Sequence, residues 1–147
     1  MTVAARALAA GDTLARRSSY LLEAWWVDLF NDALCEPKVA RGDDLNPVFA
    51  YLIMQDVVDL HAFFSSVTGG AESTPVLHGG LTIESLGAVG IRADETYDVV
   101  VSVESIDEKQ GRTLGRFRLV TILALVRGTS TPSDFHVRSR ILFGGVA

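Results

Sequence analysis

The sequence predicts an α+β fold, an antiparallel sheet curled around one long buried helix. Three observations point there. The stretch 46–65 is apolar almost all round, a pattern that only a buried helix tolerates. The chain after Pro75 breaks into strand-like runs, several of them alternating with period two as half-buried strands do. The helix precedes the strands that wrap it, and 147 residues suit one domain that buries a sizeable core.

The elements follow in chain order. Residues 1–12 are rich in alanine and read as a loosely held arm. From Tyr20 to Leu34, apolar residues at helical spacing (Leu22, Trp25 or Trp26, Leu29, Ala33) predict a first helix, with Ser18 or Ser19 as its cap and Pro37 ending it. Turn chemistry makes 35–44 a loop. Asn46-Pro47 then opens the central helix. The asparagine can accept from free backbone N–H groups, and proline suits the first helical position, where its missing N–H costs nothing. Val48, Phe49, Leu52, Ile53, Val57 and Phe64 carry the helix to about Ser65, and Gly69-Gly70 stop it.

The rest reads as sheet. Leu81–Leu86 alternates weakly, and Val99, Val101 and Val103 alternate with Val100, Ser102 and Glu104. A turn at 109–112 leads into a long strand, with Phe117, Leu119, Thr121, Leu123 and Leu125 expected on one face and Arg116, Arg118 and Val120 on the other. After a turn at 128–133, Phe135, Val137, Ser139, Ile141 and Phe143 alternate with His136, Arg138, Arg140 and Leu142. A strand gains from such alternation only if one face is buried. Several antiparallel strands after one wholly buried helix make a hotdog arrangement.

Composition narrows the function. Hydrophobic residues make up 48% and charged residues 21%, as in an ordinary globular protein. The net charge of −5, with no basic cluster beyond Arg16-Arg17, Arg116/Arg118 and Arg138/Arg140, argues against nucleic acid. No apolar run approaches the ~20 residues of a membrane span. The N-terminal segment, interrupted by Arg6, makes a poor signal peptide. A lone cysteine, Cys35, cannot form an intrachain disulfide and fits a reducing compartment, so a cytoplasmic protein is expected. Three scattered histidines and one cysteine offer no metal set, and no Gly-rich phosphate loop follows a strand, so no cofactor is expected.

The richest stretch is Val76-Leu77-His78-Gly79-Gly80-Leu81-Thr82-Ile83-Glu84, followed by Ala93-Asp94-Glu95-Thr96-Tyr97-Asp98-Val99. A Leu-His-Gly step after the central helix, then a turn resembling Gly-Asp-Thr and an alternating strand, resembles the MaoC-like hydratase/dehydratase family. The likeness is to the variant resembling the N-terminal half of double-hotdog enzymes, and it covers roughly residues 45–143. It implies a hotdog fold acting on acyl thioesters of coenzyme A or acyl carrier protein. Water is added or removed across an enoyl double bond, and two hotdog units sit side by side, as a homodimer or as a heterodimer with another hotdog chain.

The family's catalytic step reads Asp-x-Asn-Pro-x-His, its Asp and His sharing general acid and base work. Here Asp44-Leu45-Asn46-Pro47-Val48-Phe49 matches Asp, Asn and Pro but has Phe49 in place of the histidine, and phenylalanine transfers no proton. The match can equally be a helix cap, because the buried helix starts at Asn46 itself. In either case the usual dyad is missing.

Other residues are then weighed. His61, with Asp56, is the first catalytic candidate, against a structural role within the helix. His78 is a second, against its reading as a strand start. His136 points to solvent beside Arg138 and Arg140. Asp28, Asn31 and Asp32 lie where the family's helix meets the thioester channel, or else form an exposed polar face. Helix-start N–H groups carry partial positive charge, so Asn46, Val48, Phe49 and Ala50 are the expected thioester-binding positions.

Three readings stand at this point: an acyl-thioester hydro-lyase with a degenerate motif, a non-catalytic hotdog subunit beside a catalytic partner, and a hotdog thioesterase using Asp56 or Asp59.

Overall fold

The computed structural model describes residues 7–68, 75–113 and 115–144. In chain order these form β1 (Thr13–Leu21), α1 (Ala24–Ala33), α2 (Val48–Val57), α3 (Leu60–Thr68), β2 (Val76–Ser85), β3 (Thr96–Gly111), β4 (Gly115–Gly128) and β5 (Asp134–Phe143). The strands make one antiparallel sheet in the order β1-β3-β4-β5-β2, which leaves β1 and β2 as its edges.

Cross-strand rows build the concave face. Val99 faces Val126, which faces Phe135; Val101 faces Ala124, which faces Val137; Val103 faces Ile122, which faces Ser139. All nine are buried except for no more than a sliver of surface. The helix α2 lies on this face, touching every strand and burying Phe49, Ala50, Ile53 and Met54. Among the described residues no single helix is long and apolar enough to cross a membrane.

Two expectations are corrected. The central helix is broken rather than continuous from 46 to 65: α2 ends at Val57, Val58 is extended (ψ 132°), and α3 departs at 74°. The break has a local cause. The Asp59 carboxylate accepts the Ala62 N–H at 3.0 Å and its carbonyl accepts Phe63 N–H, so Asp59 caps a new helix. The bend brings Phe63 and Phe64 to within 6.0 and 5.9 Å of the Phe143 ring. Gly69-Gly70, the expected stop, lie outside the described residues.

The first helix starts later than its pattern suggests. Residues 13–21 are an edge strand on β3, and Ser19, one of the two expected caps, instead donates its N–H to Asp98 at 3.0 Å from a bulge at φ 54°. Pairing with a distant strand, invisible to local periodicity, wins here over helical spacing. At the arm, Gly11 N–H donates to the Val103 carbonyl and the Asp12 carbonyl accepts from Val103 N–H, so these two residues are tied to β3.

The sequence left open which face of β4 turns inward. Val120, Ile122, Ala124 and Val126 point into the core, and Leu119, Leu123 and Leu125 lie half-buried on the outer face. Both alternations of this strand are apolar, so period two cannot choose between them; register with β3 and β5 does.

Candidate functional site

A mainly apolar cavity of about 120 Å³ opens between α2, α3 and the sheet, beside the edge strand β2. Helical spacing sets Tyr51 and Gln55 one turn apart on its helix wall, where the Gln55 amide donates to the Tyr51 hydroxyl at 2.7 Å. On the sheet wall Ser139 is the polar break in the buried row of β5 and is 2% exposed. His78 reaches it from β2, with Nε2 3.4 Å from the Ser139 hydroxyl and its ring 6.4 Å from that of Tyr51.

The Leu77-His78-Gly79 step has a geometric reason. Gly79 is the extra residue in a bulge of β2 against β5, and a Cβ there would lie 2.2 Å from Leu142 Cδ1. The bulge lets His78, opposite Ile141, face the cavity. Burial pushes the Tyr51 phenol above its ordinary pKa, opposed by a hydrogen bond with Ser139, so it stays a neutral donor at physiological pH. An imidazole, a phenol, a hydroxyl and a carboxamide thus surround one apolar pocket. Such a set can orient a polar acyl group and exchange a proton with it.

The remaining candidate residues lie elsewhere. Asp56 is exposed at the end of α2 and accepts the Tyr20 hydroxyl at 2.6 Å. It lines an opening of about 260 Å³ with Arg17, Glu23 and Trp25, which shares no residue with the Tyr51–His78 cavity. His61 is exposed on α3 and is not in the lining of either.

At the start of α2, Asn46 Oδ1 accepts Val48 N–H at 3.0 Å, Asn46 O accepts Phe49 N–H at 3.1 Å, and Pro47 O accepts Ala50 N–H at 3.0 Å. A carbonyl bound there has to displace one of these acceptors. Asp44 pairs with Arg92 at 3.0 Å. Phe49 is 1% exposed, its ring centroid 6.4 Å from Trp26 and 6.3 Å from Phe30. Among the described residues no group of three or more His, Cys, Asp or Glu is placed to hold a metal.

Sequence reasoning singled out His78 but not Tyr51, Gln55 or Ser139. The signals were present: a lone hydroxyl inside an apolar alternation, and a Tyr–Gln pair at i, i+4 on a mainly apolar helix.

No family model matches the chain, and no curated protein sequence matches it. Solved structures do. A chain of the C-terminally truncated HadBC (3R-hydroxyacyl-ACP dehydratase) complex from Mycobacterium tuberculosis is similar with a TM-score of 0.62 and 11% identity. The match covers 87% of this chain and 93% of that one. A chain of the ChsH1-ChsH2 complex from the same organism is similar with a TM-score of 0.60 and 10% identity, covering 93% of this chain and 85% of that one. Sheet order, central helix and these likenesses together establish the hotdog fold.

Proposed function

We propose that this chain is one subunit of a two-chain hotdog assembly of the hydratase/dehydratase type, acting on acyl thioesters of coenzyme A or an acyl carrier protein in the cytoplasm. It contributes an acyl pocket, and its partner contributes the proton-transferring dyad. The observation that carries this is Phe49. It stands where the family places its histidine, and it is sealed into an aromatic cluster with Trp26 and Phe30. The Asn46 side chain before it is spent on capping α2.

Two further features support the reading. The edge strand β2 leaves a row of backbone groups open beside the cavity, with Val76 and Leu77 exposed, and edges of this kind are usually paired or covered. The two neighbours named above are from complexes, one named for two components and the other for a dehydratase.

The test is hydration of a crotonyl thioester by the chain alone and with a hotdog partner carrying Asp-x-Asn-Pro-x-His. The expectation is no turnover alone and turnover in the complex. Turnover by the chain alone overturns the division of labour.

One observation favours a second reading, in which this chain catalyses by itself. His78, Tyr51 and Ser139 already share a pocket. In that case His78→Gln lowers turnover of the isolated chain by ~10² to 10⁴, the usual size of a lost general acid or base. The parallel change His61→Gln leaves turnover alone. The thioesterase reading has less support, since Asp56 accepts from Tyr20 and Asp59 caps α3.

A further inference from the structure

Among the described residues, the exposed large apolar side chains fall into two groups. Val76, Leu77 and Leu86 lie in or just after β2, the edge at which the hotdog partner is proposed. Leu21, Trp25, Leu29 and Leu34 lie on α1 or next to its ends, with Val39 in the loop beyond. Leu21 ends β1, the sheet edge opposite β2. The acyl-thioester reading has no use for this second group.

The outward face of α1 consists of Trp25, Asp28, Leu29 and Asp32, all exposed and spaced three or four residues apart. Trp25 is 62% and Leu29 59% exposed. Val27 and Asn31 take the buried face, and the Trp26 and Phe30 rings pack on Phe49.

This outward face works against the isolated helix. Two large apolar side chains stay in water. Asp28 and Asp32 stand one turn apart, where like charges repel. Asp32 also lies in the last turn, beside the negative end of the helix dipole, and no basic residue there offsets it. Among the described residues neither carboxylate has a cation within ion-pair distance. Local conflicts gathered on one face mark a surface shaped for binding rather than for stability.

The pattern also selects the occupant. Trp25 and Leu29, one turn apart, form an apolar ridge suited to the groove of another helix. Asp28 and Asp32 beside the ridge call for cations at the same spacing. A second copy packed here about a two-fold axis would set the Asp28 and Asp32 of both copies against one another. A membrane surface fits no better, since helices that lie on bilayers carry Lys and Arg on their polar side.

We propose that the outward face of α1 docks a basic amphipathic helix of a partner protein. The apolar residues of that helix sit on Trp25 and Leu29, and its Lys or Arg residues pair with Asp28 and Asp32. A side chain at its end can enter the opening of about 260 Å³ that Trp25 shares with Leu21 and Tyr20. This partner is additional to the hotdog chain at β2, and the site does not depend on thioester chemistry.

The experiment follows the Trp25 indole N–H signal in a ¹H–¹⁵N spectrum of the full chain, assigned by its loss in Trp25→Phe. The probe is a synthetic helical peptide of Leu and Lys with its leucines along one face. The comparisons are a peptide of the same composition with its leucines scattered round the helix, a peptide with Glu for Lys, and phosphatidylcholine vesicles. The amphipathic Leu/Lys peptide is expected to shift the signal saturably, more weakly as salt is raised, with the three comparisons inert. Its affinity should fall about tenfold or more in Asp28→Asn/Asp32→Asn, and likewise in Leu29→Gln. The double asparagine variant should unfold at a urea concentration equal to or above that of the unaltered chain, because it relieves the repulsion and the dipole conflict.

A loss of stability in that variant means that the carboxylates serve the fold, and overturns the proposal. So does no shift with the Leu/Lys peptide, equal binding of the scattered or acidic peptide, or an affinity unchanged in a folded variant. A shift with vesicles assigns the face to a membrane, and a shift with chain concentration alone assigns it to self-association; either overturns the proposal. Every readout is taken without hotdog partner or thioester, so this site and the acyl-thioester assembly can fail separately.

Discussion

Tyr20 shows how one side chain ties the strand β1 to the helix α2. Its hydroxyl donates to Asp56 at 2.6 Å, and the Arg17 guanidinium lies 4.9 Å from its ring centroid. Burial first, and then that hydrogen bond to a carboxylate, push its pKa far above the ordinary tyrosine value. The folded chain therefore holds the phenol proton more tightly than the unfolded chain. Stability is fully present below the ordinary value of about 10 and falls as pH rises beyond it toward the folded value. Tyr51 and Tyr97, both raised chiefly by burial, act with the same sign. Urea midpoints measured across this range should decline above pH ~10. The decline should be shallower in Tyr20→Phe, and an identical slope in that variant would contradict the assignment.

Phe49 is the other residue with a sharp expectation. Phe49→His places an imidazole in an aromatic core where no described polar group awaits it. The change should cost on the order of 2–4 kcal/mol, through lost aromatic packing and an unsatisfied polar group. It should confer no hydratase activity on the isolated chain. Chemical denaturation and a crotonyl thioester assay check both parts, and a stable, active variant would show that the position still lies in a working site.

At the scale of elements, the bend between α2 and α3 is set by a single cap. Asp59→Ala removes the acceptor of Ala62 N–H and should cost about 1 kcal/mol, the usual value of an N-cap. The loss should appear as faster amide exchange confined to α3, and protection unchanged there would place the cause of the bend elsewhere. The same bend explains the cavity beside β2. Leu60 and Phe64 on α3 close over Tyr51 and Met54 on α2, a wall that a straight helix would carry away from the sheet. The bulge in β2 completes the wall by turning His78 inward. Each element thus contributes one irregularity to the site, and each irregularity has a residue that causes it.

For the whole molecule, the two sheet edges differ in what they expose. The edge β1 carries Arg16 and Arg17 and two register shifts, which discourage pairing. The edge β2 exposes Val76 and Leu77 beside the cavity. A charge introduced there by Leu77→Lys should weaken association with a hotdog partner by about tenfold or more while leaving the circular dichroism of the isolated chain unchanged. Light scattering of the mixture reads this out, and unimpaired association would move the interface off β2.

The α+β class, the buried helix and the alternation of β5 were legible in the sequence by itself. All three rest on local pattern: which residues are apolar, and at what spacing. Three other features were decided only in three dimensions. Residues 13–21 are a strand because β3 lies alongside them, and Leu119, Leu123 and Leu125 face outward because register, not hydropathy, chooses between two apolar faces. Tyr51, Gln55, His78 and Ser139 meet because a sheet and a bent helix converge, though they lie up to 88 positions apart along the chain (51 to 139). Periodicity records which way a side chain points relative to its own backbone. What waits for it there is fixed by contacts between segments distant in sequence, and those are properties of the folded chain.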